Sequence, residues 1–135
     1  MDNAQLGRIL LVVPEGADDF TASFLERLDH PVTTCHGPTP GAACPMVLGE
    51  GCPWYDTAHG IVFSLDLARP AHRAVLRAYA ETARSAGREI PMRVVVSAGP
   101  QPPPDVDDVV AWAGEPSVAD LDGFAALVEA ADRSA

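Results

Sequence analysis

The chain contains no lysine. All nine cations among its 135 residues are arginines, set against 19 acids, for a formal net charge of −10. No basic stripe is left to neutralise phosphates, which argues against nucleic acid as a partner. An anionic membrane surface is disfavoured on the same ground. No apolar run approaches the roughly 20 residues that a spanning helix needs. Residues 1–7 carry no basic stretch leading into a long apolar one, so no secretion signal is read there and a cytoplasmic location is expected. Cysteines are few and odd in number, three in all. That argues against a structural disulfide framework, and in the cytoplasm thiols are kept reduced.

What is present suffices for one domain spanning 1–135. Hydrophobic residues make up 47% of the chain, enough to bury a core. Residues 8–13 form an almost wholly apolar run, as a parallel strand buried on both faces requires. Further strands are predicted at 32–35, 61–65, 92–96 and 109–112. A helix is predicted over 18–28, with Phe20, Phe24 and Leu28 at four-residue spacing and Asp18 and Asp19 at its positive end. A second, over 71–86, follows Pro70, stops at Gly87, and turns Val75, Leu76, Tyr79, Ala83 and Ala86 inward. Ser117 with Asp120 three residues on resembles a capping box. Leu121, Phe124, Leu127, Val128 and Ala131 then give a last helix one apolar face. Alternating strands and helices predict an α/β fold with a five-stranded parallel sheet between two helical layers.

Four marks fall in order along this pattern. The first strand runs into Pro14-Glu15, and the third into Asp66 with Pro70 four residues later. The fourth ends in Ser97-Ala98, and the fifth is followed by Glu115-Pro116. In this the chain resembles the receiver domain of two-component response regulators, which has a flavodoxin-like three-layer fold. The resemblance implies an acidic pocket of Glu15, Asp66, Ser97 and Glu115, with Asp66 as phosphoacceptor. The departures weaken that chemistry. Pro14 stands where the family has a magnesium-binding acid. Glu115 stands where it has a lysine, and its charge repels phosphate. Asp18 or Asp19 could supply a carboxylate, and Arg69 or Arg93 a cation. The receiver's second and fourth helices are also expected to be replaced. Residues 35–59 hold four prolines and four glycines, and residues 99–104 read Gly-Pro-Gln-Pro-Pro-Pro.

The loop after the second strand carries all three cysteines, Cys35, Cys44 and Cys52, with His36 beside the first and prolines after the other two. Long irregular loops in compact domains are usually functional or disordered. Soft thiolates bind zinc, copper(I) or iron–sulfur clusters. The expected cofactor is therefore an iron–sulfur cluster or zinc. His36 is the nearest fourth ligand, with Asp56, His59 or a small molecule as alternatives. The competing readings are thiols packed as small hydrophobes, a reversible redox pair, and an atypical phospho-receiver acting through Asp66.

Other polar residues read as structural. His30 is expected in a turn and His72 facing solvent, while Trp54 and Tyr55 are expected to pack the loop onto the sheet. No nucleophile elbow surrounds Ser97, and no glycine-rich phosphate loop follows the first strand. The function expected is a non-enzymatic sensor or interaction protein that signals through a protein partner.

Overall fold

The computed structural model describes residues 7–14, 16, 20–37, 44–65, 67–87, 90–96, 110–113 and 116–134. In chain order these form β1 (Ile9–Val12), α1 (Phe20–Arg27), β2 (Val32–Cys35), α2 (Pro53–Asp56), β3 (Gly60–Phe63), α3 (Pro70–Ala86), β4 (Met92–Val96), β5 (Val110–Ala113) and α4 (Val118–Ser134). The strands form one sheet in the order β2-β1-β3-β4-β5, and every pairing is parallel. The α/β class with a parallel sheet agrees with the sequence pattern.

Each central strand feeds two apolar layers by alternation. Ile9 and Leu11 face one cluster with Leu25, Phe124, Ala125 and Val128, from α1 and α4. Leu10 and Val12 face the other with Ile61, Phe63, Val75, Leu76 and Tyr79. All residues of β1 and β3 are buried, which is why 9–13 reads as an unbroken apolar run. Gly60 belongs there for a steric reason. A Cβ at that position would stand 2.6 Å from Val128 Cγ2 and 3.2 Å from Phe124 Cζ, so only hydrogen lets α4 approach β3.

Local chemistry sets the helix ends. The Ser117 backbone N–H donates to Asp120 Oδ2 at 3.0 Å, and the Asp120 N–H donates to Ser117 Oγ at 3.1 Å, the reciprocal pair that the sequence predicts. Gly87 ends α3 at φ 63° in the left-handed region.

Several side-chain expectations are corrected. Leu127 is 40% exposed, and Ala125 takes the inward position instead. Phe20 is 49% exposed, and α1 buries Leu25. His72 is buried rather than solvent-facing, on the same stripe of α3 as Val75, Leu76 and Tyr79. His30 is buried too, its Nδ1 2.8 Å from the Gly7 carbonyl oxygen and its Nε2 3.9 Å from Glu129 Oε2. The β2–β3 connection is not wholly irregular. A hydrogen-bonded turn over 45–49 and the single-turn helix α2 cross the α3 face. The expected loop between β4 and β5 falls on 97–109, outside the described residues. Among the described residues no helix is long and apolar enough to cross a membrane.

Phe124→Ala empties a fully buried aromatic site and is expected to cost about 3–5 kcal/mol in urea unfolding. Leu127→Ala on the same helix, at its exposed position, is expected to stay within about 0.5 kcal/mol. Equal losses at both sites would contradict the orientation of α4.

Candidate functional site

Cys35 is the last residue of β2, where it pairs with Val12 of β1. Its carbonyl accepts the Val13 N–H at 2.9 Å, which anchors the end of the strand. Gly37, at φ 78°, then bends the chain so that its N–H points at Cys35 Sγ, 3.4 Å away. A Cβ on Gly37 would stand 2.7 Å from Leu65 Cδ1, so the bend lies directly on the Leu65 side chain, two residues past β3.

The chain returns at Cys44, whose carbonyl accepts the N–H groups of Val47 and Leu48 at 3.0 and 3.2 Å. Glu50 N–H donates to the Pro45 carbonyl at 2.9 Å and closes this turn. Cys52 lies just ahead of α2, and its carbonyl accepts the Asp56 N–H at 3.0 Å. Pro53 at the first helical position has no N–H to lose there. Within α2 it is Tyr55 that turns inward. Its ring stacks on Tyr79 at 5.3 Å between centroids, and its hydroxyl donates to the Tyr79 carbonyl at 3.4 Å. Trp54 is 47% exposed, so only one of the two aromatics expected to pack the loop does so.

All three cysteines are free thiols, half-buried against the apolar layer that holds Met46, Tyr55 and Tyr79. They therefore share the α3 face of the sheet. Burial pushes the Cys35 thiol above its ordinary value. The Gly37 N–H opposes this, and the neighbouring Cys44 and then Cys52 reinforce it. Burial pushes the Tyr79 phenol up as well, with the three cysteines and Tyr55 adding to the effect. Ionising Cys35 or Tyr79 is thus costly, both from lost hydration and from the neighbouring sulfurs. Met46 also lines an open groove of about 540 Å³ between the turn and α3, with Val47, Ala74, Arg77 and Glu81 along its walls.

His36 and His59 have backbone partners of their own. His36 is exposed, with Nδ1 3.1 Å from the Val13 carbonyl oxygen, while Cys35 packs into the α3 layer. His59 sits at the opposite edge of the sheet, at the start of β3, where its Nδ1 accepts the Arg8 N–H at 3.1 Å. Asp56 is exposed at the end of α2. Among the described residues no group of three or more His, Cys, Asp or Glu side chains is gathered so as to hold a metal ion. Glu15, Asp66, Ser97 and Glu115, the four residues of the expected acidic pocket, lie outside the described residues, as do Asp18 and Asp19.

Helical spacing with Val75 and Leu76 placed Tyr79 inward, as it is, but said nothing of the cysteines across the layer. Met46 carried no signal, and the burial of His30 was not foreseen from its place before Pro31. No protein-family model matches the chain, and no curated protein matches it.

Cys35 keeps its proton to higher pH in the folded chain than in the unfolded one. The stability this provides is complete below the free-thiol range and is lost as pH rises through the folded value. Thermal unfolding midpoints measured upward from about pH 8.5, the free-thiol value, should fall more steeply for the native chain than for Cys35→Ser. Parallel curves would remove Cys35 as a contributor. Tyr79 acts in the same direction at higher pH and is itself influenced by Cys35, so the comparison is made below about pH 10, the ordinary phenol value.

Proposed function

We propose that this is a receiver-like, flavodoxin-like binding protein, not an enzyme, whose cysteine loop takes up a soft metal as zinc or as an iron–sulfur cluster. It senses metal or redox state and passes the signal to a protein partner. The strand order supports the fold part of this reading, since 2-1-3-4-5 is the doubly wound order of flavodoxin-like proteins. Fold alone does not give function, so the functional part rests on one observation. Three cysteines, with eight and then seven residues between them, pack against one half-buried apolar layer, and Cys44 and Cys52 both bear on the ionisation of Cys35.

A soft cation answers the electrostatics of that layer. Thiolates that repel one another and lack hydration become ligands when a metal supplies positive charge. Cys35 is held by strand pairing, so Cys44 and Cys52 would move toward it. That couples metal uptake to ordering of the 44–52 segment. With His36 and His59 turned elsewhere, the fourth position falls to a small exogenous ligand.

Protein purified without oxygen should contain zinc, or iron with sulfide and a brown absorption. Cys44→Ser should release most of it. Colourless, metal-free protein, or a Cys44→Ser variant that keeps its full metal content, would overturn the proposal.

A further inference from the structure

We propose that His30 and Glu129 form a proton-operated clasp. With both imidazole nitrogens protonated, His30 fastens α4 to the start of β1 and to the turn between α1 and β2. With one proton lost, the hold on α4 is released.

His30 is buried at a corner where three parts of the chain meet. Its backbone N–H donates to the Leu25 carbonyl at 3.2 Å, just after Asp29 turns the chain at φ 70°. That anchors the residue to the end of α1. Its Nδ1 lies 2.8 Å from the Gly7 carbonyl oxygen. Gly7 is itself confined, since a Cβ there would stand 2.7 Å from His59 Cβ and 3.3 Å from Val128 Cγ1. The other ring nitrogen, Nε2, is buried and makes no hydrogen bond among the described residues. It stands 3.9 Å from Glu129 Oε2 on α4.

These contacts decide where the protons go. A carbonyl oxygen only accepts, so Nδ1 must carry a proton to bond Gly7. A neutral imidazole then has none left for Nε2. Its lone pair faces a carboxylate oxygen, and a buried acceptor is left unsatisfied. One more proton reverses this. Nε2–H becomes a charged donor to a carboxylate, the strong kind of hydrogen bond, and a small approach of α4 closes the gap to bonding distance. The pull of Glu129, whose side chain is 29% exposed, must outweigh the cost of burying the charged ring. Other charged groups on the elements at this corner are engaged or face solvent. Arg8 Nη1 donates to Thr33 Oγ1 at 3.0 Å, and His59 Nδ1 accepts the Arg8 backbone N–H. Glu26, Arg27 and Asp29 are exposed. The clasp's contribution to stability is present below the imidazole range, about 6.5 for a free side chain, and is lost as pH rises through it.

The test compares the full native chain with Glu129→Gln by urea unfolding between about pH 5 and 8, above the ordinary carboxylate range and below the thiol range. A glutamine amide can donate to a bare Nε2, so the variant suits the neutral ring. The native chain should be the more stable at the acid end and the variant at the alkaline end. Their relative unfolding constants should shift by roughly tenfold across the range. His59→Asn, which keeps an acceptor for the Arg8 N–H, should leave that crossing in place. Nitrogen NMR of the native chain should place the His30 proton on Nδ1 at the alkaline end and show both nitrogens protonated at the acid end. Parallel stability curves, a crossing that vanishes with His59→Asn, a neutral His30 at the acid end, or a proton on Nε2 alone at the alkaline end would each overturn the proposal.

Discussion

The constraint on which the rest depends is that β1 and β3 are buried on both faces. A strand in that position must be apolar at every residue, and each neighbouring layer must be covered by something that satisfies its own backbone. On one face α1 and α4 do this, and Gly60 shows how tightly, with Val128 and Phe124 seated where a side chain would be. On the other face α3 covers part of the sheet, and the chain between β2 and β3 must cover more of it. A regular helix would be the ordinary solution. The prolines and glycines of this segment forbid a long one. A closed turn, the single-turn helix α2 and a few inward side chains serve instead.

That solution places the sulfurs. A short, irregular cover has few large side chains to offer, so Met46, Tyr55 and Ala58 are buried and the three cysteines fill the space around them. Cysteine suits the task as a small, nearly apolar residue. It also brings chemistry that alanine would not. Burial makes the ionised form of Cys35 unfavourable, and the neighbouring Cys44 and Cys52 add to this. The resting state is therefore protonated at Cys35.

The sheet was legible in the sequence because burial on two faces writes itself as continuous runs. Residues 32–35 and 92–96 were located to the residue, and the Ser117–Asp120 cap was readable from two letters three apart. Side-chain direction was less legible. Phe20 and Leu127 fit an apolar stripe by spacing, yet each lies at its margin and points to solvent. His72 and His30 looked polar and were assigned to solvent or a turn, but a helix stripe and the Gly7 carbonyl take them inside. At the candidate site the cysteine cluster was legible as a loop and not as a place. Cys35 ends β2, and Cys44 and Cys52 pack with it against the α3 face, carried there by the 45–49 turn and α2, neither of which the Pro- and Gly-rich composition announces.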